Sequence, residues 1–326
     1  MLALAKVLIT GGAGFIGYHL SKHLAGKGDD ITICDNLFRG KSDENFKELT
    51  EKKNVSYICC DLTDFNEFKK LENDYQYVFN LAAINGTGNF YEIPHKVLRV
   101  NTLIAINILD WLITTKCKKI FFPSSSEAYS GTMAISKIPI PTPEDVALSI
   151  EDVYNERKSY AGSKIIGELL FINYARKYKF EMSIVRYHNI YGPRMGNEHV
   201  MPQFISRILN KENPFKIFGG RETRAFCYVD DAIKASELVM KSKNTNMEII
   251  NIGNGKEEIS MIDLAWKLFA ITGYKADIAQ EKAPKGTAAR RCPSIKKLAG
   301  LTNFRPDINL DYGLKKTFEW YKNKRD

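Results

Sequence analysis

Val7-Leu8-Ile9-Thr10-Gly11-Gly12-Ala13-Gly14-Phe15-Ile16-Gly17 joins a short apolar run to a glycine-spaced turn, and an apolar helical pattern (Ile16, Leu20, Leu24) continues from it. Strand, turn and helix in that order are the parts of a dinucleotide-binding unit. Gly11 permits the tight turn, Gly14 lets backbone N–H groups approach a pyrophosphate, and Gly17 lets the helix pack closely on the strand. Phe15 and Ile16 open the helix, whose N-terminus favours an anion. An ordinary glycine-rich turn has the same spacing, so the residues downstream decide. Asp35 ends the second apolar run, at roughly the ~20-residue distance where a carboxylate accepts hydrogen bonds from the adenosine ribose hydroxyls. That carboxylate repels a 2′-phosphate, so NAD is expected rather than NADP, although Arg39 and Lys41 stand nearby.

Working outward, short β-branched runs alternate with helix-length segments through the first half of the chain. Strands are predicted at Lys6–Thr10, Ile31–Cys34, Val55–Cys59, Tyr77–Asn80, Lys119–Pro123 and Met182–Tyr187. The fold class is therefore α/β: a Rossmann-type doubly wound parallel sheet with a smaller α/β C-terminal substrate domain. Residues 1–187 read as the NAD-binding domain, with an expected return at about 225–250, where Ala225 to Met240 has a strand-then-helix texture. Residues 188–224 and 251–326 read as the substrate-binding domain, with a last helix from Asp311 to about Lys322. Asn36 follows Asp35, Asp61-Leu62 follows the third strand and flanks the adenine position, and Asn80-Leu81-Ala82-Ala83 ends the fourth with small residues where a cofactor backbone must pass. Tight helix-to-sheet packing explains Ala82 and Ala83 equally well.

The 326 residues are 44% apolar and 26% charged, which excludes disordered and fibrous chains. Arg99, Asn101, Asn107 and Asp110 interrupt the most apolar stretch, Val97 to Ile113, so no membrane span is expected. Met1 to Lys6 lacks the pattern of a secretory leader, and the six scattered cysteines form no Cys-x-x-Cys pair; a reducing cytoplasm is the expected setting. The net charge of +9 comes from dispersed lysines, which argues against nucleic acid and leaves an anionic small molecule as the partner. His188 and His199 lack partners at metal-ligand spacing, and no metal is expected.

Tyr160-Ala161-Gly162-Ser163-Lys164 puts a phenol and an ammonium on one face of a helix expected to begin near Glu156. An ammonium and an oxidised nicotinamide would both stabilise a phenolate. The spacing alone also occurs by chance on amphipathic helices, with the tyrosine in the core. Phe122-Pro123-Ser124-Ser125-Ser126-Glu127-Ala128-Tyr129, directly after the fifth strand, brings hydroxyls and a carboxylate to the same sheet edge. At this point the chain resembles the extended short-chain dehydrogenase/reductases of the nucleotide-sugar epimerase, dehydratase and decarboxylase branch. The resemblance spans essentially the whole chain. It runs from the glycine turn through Asp35-Asn36, Asp61-Leu62, Asn80 to Ala83, Asn101, Ser124 to Glu127, Tyr160 and Lys164, and on through Arg186 to Arg194 and Thr223 to Asp231.

The resemblance implies that Ser125 positions a sugar oxygen, Tyr160 removes its proton and Lys164 holds the cofactor ribose; Asn101 joins the cofactor-binding set. Ser125 and Ser126, with Asn189, Arg224 and Arg291, are the implied substrate ligands, Arg290 being an adjacent competitor for Arg291. A capping amide for Asn189 and solvated arginines are the bland alternatives. The implied reaction oxidises a nucleotide-diphosphate sugar at C4 to a 4-keto sugar, with epimerisation the leading outcome. A 4-dehydrogenase or 4,6-dehydratase acting on a GDP- or UDP-hexose or heptose is the runner-up. A UDP-glucuronate decarboxylase is third, because the sequence identifies no site for a substrate carboxylate. A non-catalytic NAD-binding protein is the alternative of a different class. Glu127, with Ser126 before it, suits the decarboxylases and the guanosine-linked dehydratases, whereas simple 4-epimerases often lack a carboxylate there; a polar group satisfied by loop amides is the other reading. The segment Val97 to Ile113 and the Leu169 to Ile172 run resemble the family's dimer-forming helices, which implies a homodimer through a four-helix bundle.

Overall fold

The computed structural model describes residues 4–283 and 288–324; the first residues of the Met1 to Lys6 segment lie outside them. Seven parallel strands form the central sheet: β1 (Lys6–Thr10), β2 (Asp30–Cys34), β3 (Val55–Ile58), β4 (Tyr77–Asn80), β5 (Lys119–Ser125), β6 (Glu181–Tyr187) and β7 (Glu248–Ile252). Their spatial order is β7-β6-β5-β4-β1-β2-β3. The order reverses between β1 and β4, and a ligand crevice opens at such a reversal, beyond the carboxyl ends of the strands. The six expected strands are present with ends shifted by a residue or two, and the seventh comes from the segment after residue 225.

Burial explains the β-branched runs, since both faces of a parallel sheet are covered. Val7, Leu8, Ile9 and Thr10 of β1 are all fully buried. Helix α1 (Phe15–Gly26) covers one face, α2 (Pro94–Leu112) and α3 (Lys158–Tyr178) pack on each other and cover the opposite face, and α4 (Val229–Lys241) packs beside α1. Pro94 starts α2, where a missing N–H costs nothing. Lys179, in the left-handed region at φ 63°, ends α3.

The remaining strands are short. Ile190–Tyr191 pairs with Cys227–Tyr228, and Phe215–Phe218 pairs with Ile278–Glu281. Thr223–Ala225 lies between Glu258–Ser260 and Arg290–Arg291. This last sheet sets the backbone of Arg291 beside that of Arg224, so two residues 67 positions apart share one edge. The final helix runs from Leu310 to Asn323. Among the described residues no helix is long and apolar enough to cross a membrane.

Candidate active site

A cavity of about 850 Å³ opens along the carboxyl ends of the strands, from the glycine turn at one end to Arg224 and Arg291 at the other. At the turn end the chain is shaped for a backbone-recognised anion. Gly11 has φ +67°, and a Cβ there would lie 2.7 Å from the Ala82 backbone nitrogen; a Cβ on Gly17 would lie 2.2 Å from the Gly11 carbonyl. Only glycine fits either position, and the first turn of α1 therefore faces the cavity unobstructed. Asp35 accepts from the Ala13 N–H at 3.0 Å and from the Leu37 N–H at 2.7 Å. A carboxylate offers about four lone-pair directions, so two remain for a ribose. Asp61 accepts from the Thr63 N–H and hydroxyl at 2.9 and 2.8 Å and contacts Asn36. Thr10 Oγ1 donates to Asn80 Oδ1 at 2.9 Å and accepts from Ala82 N–H at 3.2 Å, tying β1 to β4 where the order reverses. These residues fit an adenosine diphosphate moiety with an unphosphorylated 2′-hydroxyl.

At the middle of the cavity Tyr160 stands in the first turn of α3, one turn before Lys164. Phe90 stacks on the phenol ring, with centroids 4.7 Å apart and planes at 17°. Burial pushes the phenol pKa up, and the Ser125 hydroxyl, hydrogen-bonded to it, pulls it partly back. Ser125 ends β5 and also accepts from the Glu127 N–H at 3.2 Å. The Lys164 ammonium donates to the Pro123 carbonyl at 2.8 Å and lies 5.6 Å from the Tyr160 ring centroid. Burial brings its pKa down to about 8, against the opposing charge of Glu168. The Pro123 carbonyl, rather than the Tyr160 hydroxyl, thus receives the hydrogen bond of the Lys164 ammonium, which stays close to the phenol ring.

Beneath the pair, Glu168 takes two bonds from Arg186, at 2.9 and 2.7 Å, and one from the Ser124 hydroxyl at 2.5 Å. Arg186 also donates to the Tyr129 hydroxyl at 2.8 Å. Both charged partners are buried, and the pair rivets α3 to β5 and β6. Such a pair positions more than it stabilises, since desolvation offsets much of the attraction.

The far end is an arginine cluster. Arg291 clasps Glu127 with both terminal nitrogens, at 2.5 and 3.2 Å, and Arg157 adds a bond at 3.0 Å. Burial alone would push the Glu127 carboxyl up, but the charges of Arg291 and Arg157 outweigh it and hold it well below the usual carboxylate range. Arg224 lines the same end, and burial together with the charge of Arg291 lowers its pKa to about 10. Three guanidiniums thus meet two carboxylates, Glu127 and Glu222, at this end of the cavity. The Nε–H groups of Arg157 and Arg291 are buried without a hydrogen-bond partner among the described residues. The remaining positive charge favours an incoming anion.

The cavity brings together Gly11, Gly14, Phe15, Ile16, Gly17, Asp35, Asn36, Asp61, Leu62, Leu81, Ala82 and Ala83 with Ser125, Ser126, Glu127, Tyr160, Lys164, Asn189, Arg224 and Arg291. Asn101 is not among its lining residues. Both ends of its amide are taken up by Ile84, accepting from the N–H at 2.7 Å and donating to the carbonyl at 3.0 Å, so it supports the wall from behind. Arg290 pairs with Glu258 at 2.7 Å on the surface, which leaves Arg291 as the cavity residue. Glu127 is held by arginines, with no loop amide among its carboxylate's partners. His188 is buried and bonded to Asn251 at 3.0 Å; among the described residues no cluster of His, Cys, Asp or Glu could hold a metal ion. Arg157 was missed, although it precedes Tyr160 by three residues and hence lies one turn away on the same face.

A family model described as "NAD dependent epimerase/dehydratase family" matches residues 7–253. The chain is 36% identical, over 97% of its length and 98% of the relative's, to a UDP-N-acetyl-alpha-D-glucosaminuronate decarboxylase of Bacillus cytotoxicus. It is 31% identical to a UDP-glucuronate 4-epimerase of Thermodesulfobacterium geofontis, covering 97% and 95% of the two chains. Among solved structures, a UDP-glucuronic acid 4-epimerase of Bacillus cereus in complex with UDP-glucuronic acid and NAD superposes with TM-score 0.85 at 26% identity, over 98% and 99% of the chains. With the cavity built as described and the match extending from the glycine turn through β7, the chain is an NAD-dependent enzyme and belongs to the NAD dependent epimerase/dehydratase family.

Proposed function

We propose that this enzyme oxidises a nucleotide-linked hexuronate at C4 and that the resulting β-keto acid loses carbon dioxide. One observation carries the reading: Glu127 is held ionised between Arg157 and Arg291 at the end of the cavity beyond Tyr160. When bound, NAD would supply the hydride acceptor for C4 and the source of the hydride that reduces that carbon again. Tyr160, as phenolate, takes the C4 hydroxyl proton, and Ser125 orients that oxygen. A C6 carboxylate is β to the new C4 ketone, so breaking the C5–C6 bond sends its electrons onto the C4 oxygen, where the Tyr160 and Ser125 hydroxyls stabilise the developing charge. The guanidiniums of Arg157 and Arg291, which line this end of the cavity, are the proposed carboxylate subsite that no sequence motif identified, and this reading raises decarboxylation above third place. Asn189 and Arg224 are the proposed diphosphate ligands, with Arg suited by its planar fork.

Epimerisation at C4 of the same substrate class is the second reading, supported by the likeness to uronate 4-epimerases. One experiment separates them: incubation with UDP-glucuronate and its 2-acetamido counterpart, followed by product mass and carbohydrate stereochemistry. Loss of carbon dioxide supports the first reading; unchanged mass with inverted C4 supports the second. Turnover of neutral UDP-hexoses alone removes the carboxylate subsite.

Residues 1–187 with 225–250 are proposed as the cofactor-holding domain and the rest as the substrate domain. A homodimer through α2 and α3 is proposed as well, because Leu98, Ile113, Ile166 and Leu169 remain exposed on these two helices or at their ends. Six free thiols suit the expected cytoplasmic setting.

A further inference from the structure

Arg194 makes more backbone-directed bonds than any role in sugar chemistry requires. It follows Gly192-Pro193, outside the central sheet, yet its side chain reaches back across the crevice and is buried. Its Nη1 donates to the carbonyls of Ala13 and Gly14, at 2.8 and 3.3 Å, and its Nη2 to the Lys41 carbonyl at 2.7 Å. Nε bonds to Asp43 at 2.9 Å, and the guanidinium lies 4.4 Å from the centroid of the Tyr18 ring on α1. The backbone sits at φ 69°, a region that non-glycine residues seldom adopt.

The two carbonyls matter most. In a trans peptide the N–H points opposite to the C=O, so anchoring the Gly14 carbonyl aims the Phe15 N–H away from Arg194. Phe15 is the first residue of α1, and the first N–H groups of a helix have no partner within it. Ala13 is also tied on its other side, because its N–H is bound by Asp35. One guanidinium therefore connects the pyrophosphate turn, the loop after the ribose carboxylate and the Ile190–Arg194 segment.

The Gly14 and Ala13 carbonyls also accept the Tyr18 and Lys41 N–H groups, at 3.0 and 3.2 Å, so Arg194 adds a second bond to each. We infer that Arg194 is a positioning residue for the cofactor: by this added hold on the Ala13 and Gly14 peptide planes it sets how tightly the turn grips the NAD pyrophosphate, and so whether the dinucleotide stays bound between turnovers. Retention matters to an enzyme whose hydride must come back to the same sugar. Weakening the grip frees the reduced dinucleotide before the hydride returns, and the oxidised sugar then departs as a ketone.

The test compares Arg194→Met with Arg207→Met in the full-length protein. Arg207 is a matched control: it makes two 2.8 Å bonds to Glu212 and one of 2.6 Å to the Lys216 carbonyl, and lies 4.1 Å from the Phe215 ring centroid, away from the turn. NADH release is followed by fluorescence after a chase with excess NAD, alongside the KM for NAD, kcat at saturating NAD and thermal melting of the dinucleotide-free protein. Arg194→Met is expected to speed release at least tenfold and raise the KM for NAD by a similar factor, with kcat changed less than threefold. Arg207→Met is expected to lower the melting temperature and leave release within twofold. Release unchanged in Arg194→Met, or accelerated equally in both variants, overturns the inference. If Arg194→Met does not fold, Arg194→Lys, which keeps the charge but loses the fork, carries the same comparison with an expected threefold or greater acceleration; unchanged release there overturns it equally.

Discussion

The two ends of the cavity are finished to different degrees. At the glycine turn, Ala13 is bound through both its N–H and its carbonyl, and Asp35 already holds two backbone donors. At the arginine end, two carboxylates, Glu127 and Glu222, answer three guanidiniums, and two buried Nε–H groups have no hydrogen-bond partner among the described residues. A ligand that stays can be met by a rigid, preformed cradle, whereas a ligand that comes and goes must itself complete the charge balance. The contrast separates cofactor affinity from substrate turnover, and substitutions at each end should separate them too.

The largest break is expected between the ends. Tyr160→Phe removes the acid–base group, and turnover should fall by roughly 10³-fold while bound NAD per protomer, read from the absorbance of the purified enzyme, is unchanged. Equal loss of both would mean that the phenol serves the cradle instead.

Glu127→Gln sharpens the arginine end. It removes the charge that Arg157 and Arg291 share, and turnover should fall by about 10²-fold, the scale of one positioned charged group. The same variant carries a stability signature. A carboxyl whose folded pKa is depressed adds stability above its ordinary pKa of 4.5 and loses it as pH falls toward the folded value. Acid denaturation of Glu127→Gln, followed by circular dichroism, should therefore be less steep below that value than in the parent. Lys164 bounds the opposite limb: with its pKa near 8, the ammonium is lost as pH rises through that value, so kcat/KM should decline there. A profile flat to pH 10 would remove Lys164 from the chemistry. The smallest effect is expected from Arg290→Ala, within twofold on turnover, because that side chain faces solvent and, among the described residues, pairs with Glu258.

The shape of the glycine-turn end was legible in the sequence because local rules govern it: glycine spacing after β1, a carboxylate after β2 and small residues after β4 each sit at the carboxyl end of a strand. Tyr160 and Lys164 were legible through helix periodicity, and Arg157 lay open to the same rule. The partners of Glu127 were not. Arg291 lies 164 residues away and arrives through the pairing of Arg290–Arg291 with Thr223–Ala225 and of Pro293 with Thr142, long-range contacts without a local signature. The Pro123 carbonyl that holds Lys164 was hidden for a similar reason, since backbone acceptors leave no trace in side-chain motifs. Asn101 shows the reverse case. Its residue type suited a ligand, but its register on α2 turned the amide toward Ile84 instead.

The Glu168–Arg186 rivet under α3 bears on stereochemistry. Because it anchors the helix that carries Tyr160, the phenol oxygen meets any molecule in the cavity from a single fixed direction. Under the proposed C4 chemistry, inversion would then require the sugar, rather than the helix, to turn between the two hydride steps.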